Sequence, residues 1–165
     1  ALKSKYPVLT SGKRLRDVAK DIAYHKDDSY FAAMPPLEVL RMLLSWAATG
    51  RTCGKGGKKI MVVDARKAHL HATPDREIFV ELPPEVWKPG MCARLRRCLY
   101  GTRDAPAQWE AFMAKELKSM GFIQGRASAC CFRHPHLQIR CMVHGDVFIF
   151  VGEDGDLNKV QAMMQ

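Results

Sequence analysis

The chain has 165 residues, about the length of one domain, and its apolar fraction of 47% is ordinary for a protein with a packed core. Its formal net charge is +9, from 26 Lys and Arg against 17 Asp and Glu. That surplus suits a polyanionic partner such as nucleic acid, although a basic soluble protein without such a partner has the same composition.

Membrane and secretory signals are missing from the sequence. No apolar run approaches the ~20 residues that a membrane helix needs, and no signal peptide is recognisable. The six cysteines lack the spacing of a disulfide framework and are typical of reduced thiols. We therefore expect an intracellular protein, cytoplasmic or nuclear and not secreted, without a membrane partner. Because the first residue is Ala instead of Met, we also expect a piece of a longer protein.

Hydrophobic periodicity predicts the elements in chain order after a basic, irregular first segment of about thirty residues. Helices are predicted from Pro36 to Gly50, over residues 105–120 with Gly121 as the cap, and after the acidic turn 153–156. Apolar strands are predicted at residues 60–63, 78–82, 93–97, 137–143 and 147–151, the last two forming a hairpin. Strands mixed with long helices indicate an α+β domain built on an antiparallel sheet.

Two aspartates lie where apolar strands end. Asp64 follows the strand at residues 60–63, and Asp146 lies at the tip of the hairpin. A carboxylate at such a position is solvated, caps a turn or binds a cation, and taken singly it is more often a turn or capping residue. Only the surrounding sequence favours a functional role.

Four segments resemble the motifs of one known family. They are residues 63–72 (VDARKAHLHA), 78–85 (IFVELPPE), 92–109 (CARLRRCLYGTRDAPAQW) and 144–152 (HGDVFIFVG). In the same order and at compatible spacing, they are similar to the D-V-x-x-A-F-L-x-G, I-Y-M-x-x-P-x-G, V-x-x-L-x-x-x-L-Y-G-L-K-Q-A-P-x-x-W and Y-V-D-D-I-x-I-x-G motifs of copia-type reverse transcriptases. The resemblance covers roughly residues 35–165.

This resemblance implies a polymerase palm, with an antiparallel sheet packed on two helices, together with part of the fingers and without a thumb. Residues 1–57 would supply a fingers-like segment and a connecting helix, and residues 58–165 would supply the palm. The chain would be a segment of a retrotransposon Pol polyprotein. Its partners would be an RNA or DNA template–primer, deoxynucleoside triphosphates and the rest of the polyprotein.

The chemistry implied by the family is RNA-directed DNA synthesis, in which a primer 3′-hydroxyl attacks the α-phosphorus of a deoxynucleoside triphosphate. Asp64 and Asp146 would be the catalytic carboxylates and would hold two magnesium ions, because magnesium prefers hard oxygen ligands. The resemblance implies nucleotide contacts from Ala65, Lys67, Ala68, His69 and Arg16. It implies template–primer contacts from Tyr100, Gly101, Ala105, Pro106 and Gly145.

Two departures from the family pattern bear directly on function. His69 stands where the family has an aromatic residue that excludes ribonucleotides, and a simple polar turn explains it equally well. Val147 stands where the family has the second of two adjacent aspartates, so one carboxylate of a three-acid set is missing. Either the remaining two acids hold the metals weakly, or this copy is a palm-fold remnant that only binds nucleic acid.

A zinc-dependent nucleic-acid-binding module is the remaining alternative. Cys130, Cys131, His134 and His136 offer the ligand types that zinc accepts. Adjacent cysteines seldom bind one zinc, however, and the usual C-x₂₋₄-C spacing is absent. The family resemblance instead makes this stretch an ordinary strand that leads into the hairpin.

Overall fold

The computed structural model describes residues 9–10, 32–49 and 57–164. Within them lie the helices α1 (Leu37–Ala48), α2 (Ala105–Ser119) and α3 (Asp154–Met163), and 3₁₀ turns at Ala68–His71 and Pro84–Val86. The strands are β1 (Leu9–Thr10), β2 (Lys59–Asp64), β3 (Phe79–Glu81), β4 (Cys92–Leu95), β5 (Ile123–Gln124), β6 (Cys131–His134), β7 (Ile139–His144) and β8 (Val147–Gly152). This content confirms the predicted α+β class. None of the described helices is long and apolar enough to cross a bilayer.

The chain divides into two compact units. Unit 1 comprises Ala1–Phe31 and Lys67–Trp109, and unit 2 comprises Ala32–Arg66 and Glu110–Gln165. The assignment of residues 1–57 to the fingers and 58–165 to the palm stays a prediction.

Unit 2 is built on a five-stranded antiparallel sheet in the order β2-β8-β7-β6-β5. β2 and β8 pair along their full length, and β8 returns from β7 through the predicted hairpin. β7 begins at Ile139, two residues later than predicted, because residues 135–138 form a turn in which Gln138 has a left-handed φ of 52°. The short β5 was not predicted, since two residues carry no periodicity.

Both faces of β8 are covered, because alternate residues of a strand point to opposite faces. On one face, Val151 packs with Met142 of β7 and with Leu43 of α1 in a buried cluster. On the other face, the buried rings of Phe148 and Phe150 lie parallel with centroids 6.1 Å apart. A strand with two apolar faces is expected to be the continuous hydrophobic run seen in the sequence.

The end of α2 confirms the predicted glycine cap. The Phe122 N–H donates to the Leu117 carbonyl and the Gly121 N–H donates to the Lys118 carbonyl, both at 3.0 Å. Gly121 has a φ of +91°, so the helix ends in a Schellman motif. A side chain at this position would be strained, and its Cβ would lie 2.8 Å from Nε2 of His134.

Unit 1 contains a separate three-stranded antiparallel sheet in the order β1-β4-β3. Phe79 lies opposite Arg94, and Leu9 lies opposite Leu95. The sequence predicted one sheet, and the structure has two, because β4 uses both of its edges within unit 1. The buried residues Ala93 and Leu95 form the centre of its small core.

The hairpin turn gives the first testable prediction. Gly145 has a φ of +63° and open space around the position of a Cβ, so Gly145→Ala should cost about 1 kcal/mol through backbone strain alone. Gly155→Ala is the matched control, because Gly155 lies in α3 with equally open surroundings and should gain up to about 1 kcal/mol. Urea unfolding of both variants measures the difference, and equal stabilities would contradict the described turn.

Candidate active site

The two predicted acids lie at adjacent strand ends of unit 2. Asp64, the last residue of β2, lies opposite Val147, the first residue of β8. One residue further, the Ala65 N–H donates to the Asp146 carbonyl at 2.8 Å. The predicted adjacency of the Asp64 strand and the Asp146 hairpin is therefore confirmed, although 82 positions (146 − 64) separate the two residues in sequence. Their catalytic role stays a prediction.

A two-residue turn carries Asp146. His144 and Val147 are the last paired residues of the hairpin, so Gly145 and Asp146 are its two central residues. Gly145 has a positive φ and Asp146 does not, which is the pattern of a type II′ turn. Such a turn matches the twist of the flanking strands and holds its second residue rigidly. Both carboxylate residues, Asp64 and Asp146, are exposed, so a hydrated cation can reach them.

Val147 occupies the position where a third acid would meet Asp64. Residues directly opposite each other in an antiparallel pair place their Cβ atoms about 4.5–5.5 Å apart on the same face. The half-buried Val147 presents only methyl groups there. Among the described residues, no group of three or more His, Cys, Asp or Glu side chains could hold a metal ion.

The donor set decides which metal the site fits. Two carboxylates supply hard oxygens, which magnesium prefers, and water can complete the coordination of a single ion. Two ions about 4 Å apart need carboxylates that bridge or flank both of them. Two carboxylates with water therefore form a donor set that a divalent cation accepts, and the pair of magnesium ions stays a prediction.

A second group of predicted residues lies in unit 1. Lys67 has a left-handed φ of 58° and begins the 3₁₀ turn that contains the buried Ala68 and then His69. The His69 imidazole stacks on the Tyr100 ring, with centroids 4.3 Å apart and planes at 29°. Nδ1 of His69 is buried and has no hydrogen-bond partner among the described residues. The structure therefore brings together one predicted nucleotide residue and one predicted template residue.

The remaining predicted residues of unit 1 surround the start of α2. Gly101 has a φ of +90°. Ala105 has no exposed surface, whereas Pro106 is half-buried. Trp109 is buried, as expected for a core residue, and its ring lies 6.2 Å from that of His71. Arg16 lies outside the described residues.

Asp104 is a residue that the sequence reasoning missed. It has no exposed surface, and neither carboxylate oxygen has a hydrogen-bond partner within the described ranges. Nη2 of Arg76 lies 3.8 Å from Oδ1 of Asp104. The Asp104 carbonyl accepts the Gln108 N–H at 3.0 Å, so Asp104 immediately precedes the first turn of α2. An aspartate directly before a helix start is an N-cap signal, although burial without a hydrogen bond leaves no trace in sequence.

The cysteine and histidine run of the zinc alternative forms no metal cluster in the described part of the chain. The Cys130 thiol is buried and lies 3.1 Å from the Ala33 carbonyl oxygen, and burial, followed by the nearby Glu110 carboxylate, raises its pKa. Nδ1 of His134 accepts the Leu137 N–H at 3.1 Å. These side chains serve the packing of β6 and the turn after it.

Comparison with known proteins identifies the family of the chain. A profile of the family "Reverse transcriptase (RNA-dependent DNA polymerase)" matches residues 10–165. Two curated relatives from Saccharomyces cerevisiae, the truncated transposon Ty1-A Gag-Pol polyprotein and the transposon Ty1-DR5 Gag-Pol polyprotein, are each 28% identical over 101 residues. That match covers 61% of this chain but only 8% and 6% of those polyproteins. No solved structure matches the chain.

The chain belongs to the reverse transcriptase family of RNA-dependent DNA polymerases. The Ty1 relatives further confirm the predicted copia-type assignment. The chain spans less than a tenth of the length of those relatives, so the match does not assign the activity of a whole polyprotein to it.

Cys98, beside Asp104 in unit 1, gives a prediction about pH. Burial, followed by the negative charges of Asp104 and Asp75, raises the pKa of the Cys98 thiol from 9.0 to about 11. Between these values the unfolded chain releases a proton that the folded chain keeps, so stability should fall as pH rises. The free energy of unfolding should fall by up to about 2 kcal/mol near pH 11 because of Cys98 alone.

Urea unfolding between pH 8 and pH 11 tests this expectation by comparing the unmodified chain with Cys98→Ala. The slope of stability against pH should be shallower in Cys98→Ala, whereas Cys131→Ala, at a half-buried position, is the control. Identical slopes in the unmodified chain and Cys98→Ala would show that this thiol is not held in its protonated form.

Proposed function

We propose that this chain is the polymerase segment of a retrotransposon polyprotein and takes part in RNA-directed DNA synthesis. Its substrates would be deoxynucleoside triphosphates and a primer–template, and the bond formed would join the primer 3′-oxygen to the α-phosphorus. The observation that carries the proposal is the β2–β8 pairing, which sets Asp64 beside the turn that bears Asp146. Family membership supplies the reaction class.

Asp64 and Asp146 are the proposed ligands of the divalent cation. When bound, magnesium would lower the pKa of the attacking hydroxyl and neutralise charge at the phosphate. The protein contributes rigidity, because Asp64 ends a fully paired strand and Asp146 belongs to a two-residue turn. The Ala65 N–H donates to the Asp146 carbonyl, which fixes the turn to the end of the strand.

The proposed substrate contacts follow the family motifs. Ala65, Lys67, Ala68, His69 and Arg16 would contact the nucleotide, and Tyr100, Gly101, Ala105, Pro106 and Gly145 would contact the primer–template. An imidazole fills less space than the aromatic ring of the family, so His69 should discriminate poorly between ribose and deoxyribose. Stacking on Tyr100 limits the freedom of this imidazole.

A second candidate function is nucleic-acid binding without synthesis. Val147 favours it, because the side chain directly opposite Asp64 has no oxygen to offer a cation. The two candidates share the same partner and differ only in chemistry. Restoring the missing carboxylate separates them.

We expect Val147→Asp to create a three-carboxylate site and to tighten Mn²⁺ binding by about tenfold, or ~1.4 kcal/mol, as measured by electron paramagnetic resonance on the chain itself. Joined to the thumb of a related polymerase, Val147→Asp should extend a primer on an RNA template about a hundredfold faster than the unmodified chain. Asp64→Asn and Asp146→Asn should abolish both cation binding and extension.

The matched control is Val62→Asp, which adds the same charge on the same face of β2, two residues before Asp64, where Val62 is 62% exposed. It should leave extension unchanged, since its carboxylate lies two residue pairs further from the turn. If the unmodified chain already extends as fast as Val147→Asp, the missing acid does not limit catalysis. If Val147→Asp binds primer–template but still fails to extend it, the binding-only candidate is favoured.

A further inference from the structure

A groove in unit 2 lies apart from the candidate active site. It encloses about 300 Å³ and runs between α1 and the β5–β6–β7 edge of the sheet. Its walls are mostly apolar, with Val39, Met42 and Leu43 from α1 and Ile123 from β5. Met42 is 67% exposed and Ile123 is 46% exposed, so these side chains are not buried by any part of their own unit. A volume of this size is at the lower end of the range for ligand sites.

Two arginines give the groove a strong positive charge. Arg133 of β6 and Arg140 of β7 line the groove and lie directly opposite each other in the strand pairing. Like charges at directly opposed positions destabilise a sheet. In the described part of the chain, neither arginine has an ion-pair partner. An anion bound between them would relieve this repulsion.

The position of one of these arginines is fixed by an aromatic ring. The Arg140 guanidinium carbon lies 4.3 Å from the centroid of Trp46, and the Lys58 ammonium lies 4.8 Å from the same ring. Cation–π contacts of this kind hold a charged group in place without neutralising it. Two cations therefore lie against the Trp46 ring.

We propose that this groove binds an acidic, amphipathic peptide segment of a protein partner. Large apolar side chains would fill the space beside Met42, Leu43 and Ile123, and carboxylates would pair with Arg133 and Arg140. Methionine suits such a surface because its flexible side chain adapts to different apolar partners. Charge complementarity selects the acidic partner, since the groove lining contains two arginines and no acidic residue. Its apolar walls favour a peptide over a nucleic-acid backbone.

Fluorescence anisotropy with a labelled amphipathic helical peptide tests the proposal on the full 165-residue chain. The probe carries leucines at helical i, i+3, i+4 and i+7 positions and glutamates elsewhere, and a second probe replaces every glutamate by glutamine. Arg133→Ala and Met42→Ala should each weaken binding of the acidic probe by about tenfold, which corresponds to ~1.4 kcal/mol. Both residues are exposed, so neither substitution should lower the urea unfolding midpoint. An unchanged midpoint will show that the variant is folded.

Lys115→Ala is the matched control, because it removes one exposed positive charge that does not line the groove. It should bind the acidic probe as the unmodified chain does, and the glutamine probe should bind more weakly to all variants. Equal loss in Lys115→Ala and Arg133→Ala would overturn the proposal, because net charge alone would then explain binding. The proposal would also be overturned if the acidic probe does not bind and a single-stranded RNA binds in a manner that depends on Arg133. The groove would then be a nucleic-acid-binding surface.

Discussion

The register between β2 and β8 is the constraint on which the candidate site depends. Six consecutive residue pairs, from Lys59–Gly152 to Asp64–Val147, join two segments that are far apart in sequence. Because side chains alternate between the faces of a sheet, a slip by one residue would turn Asp64 to the opposite face. The same slip would remove the hydrogen bond from the Ala65 N–H to the Asp146 carbonyl. Both acids are therefore positioned by the backbone pairing of two apolar strands.

This register is strongly specified because both faces of β8 are buried against different partners. Val151 belongs to the layer under α1, and Phe150 belongs to the layer on the other face, and neither has exposed surface. A slip by one residue would place a phenylalanine in the layer that holds Val151 and a valine in the layer that holds Phe150. Close-packed cores do not accommodate such changes of volume. Val147, which stands where the family motif has an aspartate, lies at the turn end of this register, opposite Asp64.

Local features of the fold were predictable from the sequence, whereas long-range features were not. The Gly121 cap and the hairpin around Gly145 follow from turn chemistry and periodicity within a few residues. The pairing of β2 with β8 is a contact between distant segments, and only the order of the family motifs indicated it. The separate sheet of unit 1 was missed because no local pattern shows that β4 uses both of its edges.

The same distinction holds for the candidate site. Asp64 and Asp146 could be named from the sequence, since each follows or interrupts an apolar run and matches a motif. The burial of Asp104 and the contact between His69 and Tyr100 depend on tertiary packing, which a single sequence does not encode in any local pattern. Val147 was recognised as a departure from the motif, but its position directly opposite Asp64 came from the register.

The β2–β8 register is proposed to join Asp64 and Asp146 into one cation site. Paramagnetic broadening by substoichiometric Mn²⁺ in the amide NMR spectrum of the chain tests whether they share an ion. Broadening should centre on residues 64–66 and 145–147 together, and either Asp64→Asn or Asp146→Asn should remove it from both segments. Broadening that centres on the acidic turn at residues 153–156, or that persists at residues 145–147 in Asp64→Asn, would contradict the claim.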